Sequence, residues 1–361
     1  MKKTLVDLTY YSFSEANPHD IISKCQSTIG FLEKLSVKFN VHFVVRSSNE
    51  LPSLNQHLIQ FDFFKGKSLN KWQIPFRFHK HIQSLYPDYI LVHGFGAAHY
   101  LILLKMMCPK AKILLQSNGF SPKPKGFKKL AYTISDRFID GYLFTGTENA
   151  SAWYESKILK KSKVFEVMEG STHFKYNGNT RRKQNSFIWV GRLDNNKDPM
   201  TILNAFDLFL KVEPTAKLTM IFQEGELIEE VTDSISKSKN LEKAVELQGY
   251  VEHQQLESIY NQHQYFVLGS HYEGSGYALL EAMACGCVPI VTNIPSFKFM
   301  TANGRYGLLF SPKSEAELSA QLTKTTTINY EELQQKVLNY FDNKLSFQAI
   351  ANDIELGFQS L

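Results

Sequence analysis

No stretch of this sequence reaches 18 consecutive apolar residues, so no membrane-spanning helix is expected. The segment MKKTLVDLTYYS carries two lysines, but its apolar run is short and broken by Asp7, which argues against a secretion signal. Cysteine is scarce: Cys25, Cys108, Cys285 and Cys287 are the only four in 361 residues. That excludes a disulfide-built scaffold and fits a reducing cytosol. Cys285 and Cys287 have no His or Cys cluster beside them, so they read as small buried thiols. No cluster has metal-ligand spacing, and no metal is expected. G-x-G-x-x-G follows the first strand of neither half, and G-x-x-x-x-G-K-[ST] is absent, which disfavours dinucleotide and P-loop sites. Short repeats and low-complexity tracts are lacking too.

What is present describes an ordinary globular chain, 43% hydrophobic and 21% charged, long enough for two domains. Charge is unevenly spread. Residues 1–180 carry a net +11 and residues 181–361 a net −6, which implies different partners for the two halves. Short apolar runs predict strands near Leu5–Leu8, Val41–Val45, Leu58–Phe61, Tyr89–His93, Ile113–Gln116 and Tyr142–Thr145. A second set falls near Ser186–Val190, Lys217–Phe222, Val245–Gln248, Tyr265–Leu268, Val288–Thr292 and Leu308–Phe310. Amphipathic stretches such as Ile21–Lys38 and Asn70–Leu85 separate them as helices. Alternating strands and helices predict an α/β protein with two doubly wound, Rossmann-like parallel sheets. The polar run KYNGNTRRKQN, 175–185, reads as the linker. Ligands of such sheets bind beyond the carboxyl ends of the strands, so two facing sheets would form a cleft lined by strand-end motifs.

The most informative segment is SHYEGSGYALLEAMACGCVPIV, 270–291. Glu273 stands in a loop and Glu281, eight residues on, in a helix. Between them, Gly274 and Gly276 permit close backbone approach and positive φ. The helix start presents the N–H groups of Ser275, Gly276 and Tyr277, a cradle suited to phosphate. Glu281 lies one turn beyond Tyr277 on the same face. A ligand with hydroxyls at both ends and phosphate in the middle, such as a nucleotide sugar, matches that order. A second segment, FIWVGRLDNNKDPMTILNAFDLF, 187–209, is a strand ending at Gly191, followed by Arg192 and Lys197. Gly191 removes bulk where a ligand would approach. Arg192 offers a planar donor fork and Lys197 a compact charge, together able to neutralise a diphosphate.

These two segments resemble the signature segments of the family 4 retaining glycosyltransferases. LQGYVEHQQLESIYNQHQYFVLGS at 247–270, GRYGLLF at 304–310, PDYILVHG at 87–94 and LSFQAIANDIELGF at 345–358 extend the likeness. It is nearly continuous over 187–310 and weak in the N-terminal half. The resemblance implies the GT-B fold, two Rossmann-like domains facing a cleft. Residues 1–175 would bind the acceptor, joined by a terminal helix, 346–361, that crosses back. Residues 185–345 would bind the donor. It assigns Arg192 and Lys197 to the donor diphosphate, Glu281 to the ribose and Glu273 to the transferred sugar. It gives Ser275–Tyr277 backbone contacts to sugar and phosphate, and Tyr250 and Val251 a place beside the nucleobase.

Three departures stand out. The first strand–helix loop, SFSEANPHD, lacks paired glycines, leaving His19 or Ser14 as substitutes. Gln223-Glu224-Gly225 stands where the family has two glycines. KILLQSNGF puts Gln116 or Asn118 where the family carries a histidine; Asn118 could keep a hydrogen bond to sugar but could not titrate. His93, at a strand end, is either a replacement contact to sugar or acceptor or a structural histidine.

The activity implied is metal-independent, retaining transfer of a hexose-type sugar from a nucleoside-diphosphate sugar to a hydroxyl, in cell-surface polysaccharide or glycolipid synthesis, with no cofactor. Same-face displacement, with Glu273 positioning, and a covalent glycosyl-enzyme, with Glu273 attacking, both fit. Another GT-B enzyme, phosphorylase- or epimerase-like, and a silent sugar-nucleotide-binding module are the other readings. The stretches 61–81 and 118–132 interleave Lys and Arg with Phe and Trp. They suit either a solvated amphipathic helix or an anionic membrane carrying a lipid-linked glycan. A cytoplasmic protein at the inner face of the membrane is therefore expected. Nucleic acid is not, because the donor motifs occupy the cleft.

Overall fold

The computed structural model describes residues 2–66, 68–69, 73–95, 98–117, 126–223 and 225–361, without the side chains of Phe127 and Lys128. The chain divides into two compact units, one of Met1–Ser171 with Phe347–Leu361, the other of Thr172–Ser346.

Unit 1 is built on eight strands: β1 Thr4–Phe13, β2 Asn40–Ser47, β3 Leu54–Gln56, β4 Ile59–Lys65, β5 Tyr89–His93, β6 Lys112–Gln116, β7 Gly141–Phe144 and β8 Val164–Glu166. Their order is β3-β4-β2-β1-β5-β6-β7-β8, parallel throughout except for the β3–β4 pair. The order reverses direction between β1 and β5, the position where open α/β sheets hold ligands. One face buries Val6, Ile90, Val92, Ile113 and Leu115 against Phe78, Leu101, Tyr132 and Trp153 from the covering helices. On the opposite face lie helices Gln26–Leu35 and Phe347–Gln359, which pack on each other. Phe358 sets its ring 4.4 Å from that of Tyr89, and Lys38 pairs with Glu355 at 2.7 Å. The last helix of the chain thus belongs to the first unit.

Unit 2 holds six strands: β9 Ser186–Val190, β10 Lys217–Ile221, β11 Val245–Gly249, β12 Tyr265–Leu268, β13 Val288–Thr292 and β14 Leu308–Phe310. The order is β11-β10-β9-β12-β13-β14, all parallel. Its central strands are continuous apolar runs because helices cover both faces. Every residue of β12 and β13 is buried.

Local chemistry explains where the elements depart from expectation. The helix predicted over 21–38 is two helices, Pro18–Lys24 and Gln26–Leu35, interrupted at Cys25. That predicted over 70–85 begins only at Phe76, after Pro75, whose missing N–H suits a helix start; residues 70–72 lie outside the description. Leu58, read as strand, is a turn residue: His57 and Leu58 both take positive φ (52° and 63°) and reverse the chain into the β3–β4 hairpin. The supposed linker 175–185 is bound to unit 2. Lys175 N–H donates to Glu257 at 2.7 Å, Asn177 N–H to Asn261 at 2.7 Å and Lys183 N–H to the Gln262 carbonyl at 2.9 Å. Arg182 donates to the carbonyls of Tyr260, His263 and Cys285. Most side chains of this segment remain exposed, but these bonds hold its backbone and Arg182 against unit 2.

Cys285 and Cys287 are free and buried, and burial pushes the Cys287 thiol up to about 11. No helix among the described residues is long and apolar enough to cross a membrane.

Phe358→Ala should cost unit 1 about 3 kcal/mol, the usual penalty for emptying a buried aromatic site. Urea unfolding should show an earlier transition for unit 1 and an unmoved one for unit 2.

Candidate active site

The two segments singled out in the second half meet at the carboxyl edge of the unit 2 sheet. β9 delivers the loop 191–198, and β12, its neighbour, delivers 269–276. Asp198 ends the first loop in the left-handed conformation (φ 47°) and caps helix Pro199–Phe209, accepting from Thr201 N–H at 3.2 Å. Pro199 at the first helical position needs no hydrogen-bond partner. The loops are laced together. His271 N–H donates to the Asn196 carbonyl at 2.8 Å, Tyr272 N–H to the Asn196 side chain at 3.1 Å, and His271 Nε2 lies 2.8 Å from Asp198.

This lacing brings Lys197 onto Glu273. The ammonium donates to Glu273 Oε1, which also accepts from Ser270 Oγ at 2.7 Å. Both side chains are largely withdrawn from solvent, at 16% and 14% exposure, so neither charge is cheaply left alone. Gly191 lies beside this pair; a Cβ there would sit 3.4 Å from Lys197 Cγ. Arg192 turns outward and pairs with Asp194 at 3.0 Å, its side chain mostly exposed.

Beyond Glu273 the chain passes through Gly276, which takes φ 59°, ψ 56° and starts helix Tyr277–Ala284 with no side-chain cap. Phe297 closes the space a Cβ would need there, at 2.6 Å. Gly274 does not share the positive φ expected of it. Ser275 is buried and Tyr277 partly exposed. Glu281 is buried and engaged: His253 Nε2 lies 2.7 Å from Oε1, and Tyr260 hydroxyl donates to Oε2 at 3.4 Å. The hydrogen bond to the Glu281 carboxylate raises the His253 pKa, with burial opposing. Phe174 stacks on the His253 ring at 5.0 Å. Tyr250 is exposed, its hydroxyl held by Glu252, and Val251 is half-buried.

Sequence reasoning did not find His253, Ser270, His271 or Asn196. His253 sits inside the quoted 247–270 segment, and its distance from Glu281 in the chain conceals the pairing. Gly225 explains the glycine retained after Glu224: a Cβ there would strike the Leu193 carbonyl at 2.5 Å, so that loop can lie directly on 191–198. Glu224 lies outside the described residues.

In unit 1, His93 ends β5 beside β1, at the reversal of strand order. Its Nε2 lies 2.7 Å from Asp7 Oδ2. Asp7 is fully buried, and its other oxygen has no hydrogen-bond partner among the described residues. Burial pushes the His93 pKa down, but the carboxylates of Asp7 and Glu169 outweigh it and hold it above the ordinary value. Gln116 is buried and donates to the Leu143 carbonyl at 3.4 Å. His19 is exposed at the start of helix Pro18–Lys24, its N–H bonded to Asn17. Asn118 lies outside the described residues. Among the described residues no three His, Cys, Asp or Glu side chains are grouped so as to hold a metal ion.

Residues 172–340 match the family Glycosyl transferases group 1. This part of the chain belongs to that family. The resemblance drawn from the sequence is thereby upheld, and the fold is GT-B, shared along the whole chain with solved glycosyltransferases. An Anabaena protein, HepE, solved in complex with UDP, superposes with a TM-score of 0.72 over 100% of both chains at 13% identity. The chain is 25% identical over 229 residues to the GDP-mannose:cellobiosyl-diphosphopolyprenol alpha-mannosyltransferase of Xanthomonas campestris, a match spanning 62% of this chain and 60% of that protein. It is 23% identical over 301 residues, 78% of this chain and 80% of the other, to the N-acetylgalactosamine-N,N'-diacetylbacillosaminyl-diphospho-undecaprenol 4-alpha-N-acetylgalactosaminyltransferase of Campylobacter jejuni.

The Asp7–His93 pair yields a pH prediction. A histidine whose folded pKa is raised contributes stability that is complete below its ordinary value of 6.5 and is lost as pH rises through the folded value. Asp7→Asn should lower the His93 pKa in a histidine-ring NMR titration, because burial then loses its main opponent. An unchanged His93 titration in that variant would show that the pair does not form.

Proposed function

We propose that this protein is a retaining, metal-independent glycosyltransferase. Unit 2 takes a nucleoside-diphosphate sugar, and a hexose-type sugar passes to the hydroxyl of a lipid-linked glycan presented to unit 1. The observation that carries the reading is the union of two strand-end loops, which sets Lys197 against Glu273 beside a glycine-started helix bearing Glu281. The family of residues 172–340 supports it, as do the diphosphopolyprenol and diphospho-undecaprenol glycans in the names of the relatives and the UDP in the Anabaena complex. On this proposal the protein acts without a cofactor at the cytoplasmic side of a membrane, in cell-surface polysaccharide or glycolipid assembly.

In the proposed reaction the bond from the anomeric carbon to the diphosphate breaks, and its electron pair leaves with the nucleotide. The acceptor oxygen bonds that carbon on the same face and yields its proton to the departing phosphate oxygen. Lys197, Arg192 and the start of helix Tyr277–Ala284 neutralise the charge that builds on the phosphate. Glu273 binds the sugar hydroxyls. Glu281 accepts from the ribose hydroxyls, with His253 and Tyr260 fixing its orientation. Tyr250 and Val251 flank the nucleobase, and His93 contacts sugar or acceptor.

The roles separate by mutation. Glu281→Ala should weaken nucleoside diphosphate binding at least about tenfold, roughly the loss of one charged hydrogen bond. Glu273→Ala should abolish turnover and leave nucleotide affinity largely intact. Lys197→Ala and Arg192→Ala should each slow transfer about 10²–10³-fold. Calorimetry and donor-turnover assays measure these effects. Nucleotide binding lost in Glu273→Ala with the fold intact, or unchanged in Glu281→Ala, would reverse the assignment.

A further inference from the structure

We propose that one face of unit 1, formed by helices Phe76–Ser84, Tyr100–Met107 and Gly126–Ser135, docks on an anionic bilayer surface. These helices cover the same side of the sheet, sharing one core through Phe78, Leu101 and Tyr132. Tyr100–Met107 packs against Phe76–Ser84 on one side and against the turn Asp136–Phe138, which continues Gly126–Ser135, on the other. Their surface is therefore continuous. Its outer side carries exposed apolar and basic side chains. Ile74, Phe76, Met106, Leu130 and Ile134 are between 41% and 67% exposed. On the third helix, Leu130 and Ile134 stand one turn apart, with exposed Lys129 before them and Arg137 after. On the first, exposed Arg77 and Lys80 accompany Phe76.

No helix of the three contains an acidic residue. From Phe63 to Ser135 twelve Lys and Arg stand against one acid, Asp88, which accepts from Thr4 N–H at 2.8 Å. The next acids along the chain are already engaged. Asp136 lies 3.6 Å from Lys163 and accepts from the Tyr142 hydroxyl at 3.0 Å, and Asp140 pairs with Lys105 at 2.8 Å. Charge complementarity calls for an anionic partner, and the exposed Leu, Ile and Phe side chains select a bilayer over a soluble polyanion.

Orientation adds a purpose, which rests on the proposed function. Ile74 and Phe76 lie at the start of a helix that returns from β4, hence at the carboxyl edge of the strands, where ligands of such sheets bind. A lipid-linked acceptor could reach that edge without leaving its leaflet.

The test is co-sedimentation of the full chain with vesicles of phosphatidylcholine alone and of phosphatidylcholine with phosphatidylglycerol. It is run at about 0.1 M and about 1 M salt, where screening shortens from about 10 Å to about 3 Å. The protein should bind the anionic vesicles at least about tenfold better, and 1 M salt should release most of it. The pair Lys129→Glu with Arg137→Glu, and separately the pair Leu130→Ser with Ile134→Ser, should each weaken binding about tenfold. Nucleoside diphosphate affinity, unchanged in both, would certify the fold. No preference for anionic vesicles, or a preference that neither pair alters, overturns the proposal. So does binding to a single-stranded oligonucleotide in place of vesicles. Vesicle binding without any nucleotide binding would leave this surface standing and remove the donor reading instead.

Discussion

The site in unit 2 depends on one ion pair. Lys197 and Glu273 are brought together from loops 76 residues apart in the chain, and each removes the need to solvate the other's charge. The surrounding lacing holds that pair together. Asn196 and Asp198 bind the backbone and a side chain of the opposite loop, and Ser270 supports Glu273 within its own, so the two strand ends behave as one surface. Glycine makes the approach feasible, since Gly225 rests on Leu193 where any side chain would collide. A cation held by a carboxylate can be offered to a phosphate at the cost of exchanging one anion for another. A bare buried ammonium would be far less stable.

The same sheet logic operates in both units. Parallel strands with covered faces leave their carboxyl ends as the place where polar loops gather. In unit 2 those loops supply Lys197, Glu273 and the helix of Glu281. In unit 1 the strand-order reversal carries Asp7 and His93, a buried carboxylate given a partner by its neighbouring strand. One face of unit 1 differs, with exposed apolar and basic side chains on three helices that hold no acid.

Much of this was legible in the sequence. The strands of unit 2 fall where the apolar runs predict, because a strand buried on both faces must be apolar at every position. Gly276 and the two glutamates were readable because glycine at a left-handed helix start has few substitutes. What stayed hidden depends on distance in the chain. His253 reaches Glu281 across 28 residues, and Asp7 reaches His93 across 86. No periodicity announces such pairs. Leu58 misled because it is an exposed apolar residue in a turn, and 175–185 because an exposed polar segment can still be tied down through its backbone and one arginine. Nor does the sequence distinguish the surroundings of Arg192 and Lys197: one faces solvent beside Asp194, the other is withdrawn against Glu273.

The central claim is that unit 2 recognises a nucleoside diphosphate through its phosphates and ribose together. Isothermal titration of the unmodified protein with UDP, GDP and ADP, each beside its monophosphate and its 2′-deoxy form, tests it most directly. One base should bind, and its diphosphate should bind more tightly than both the monophosphate and the deoxy compound. Equal affinity for all three forms of that base, or no binding of any diphosphate, would contradict the account.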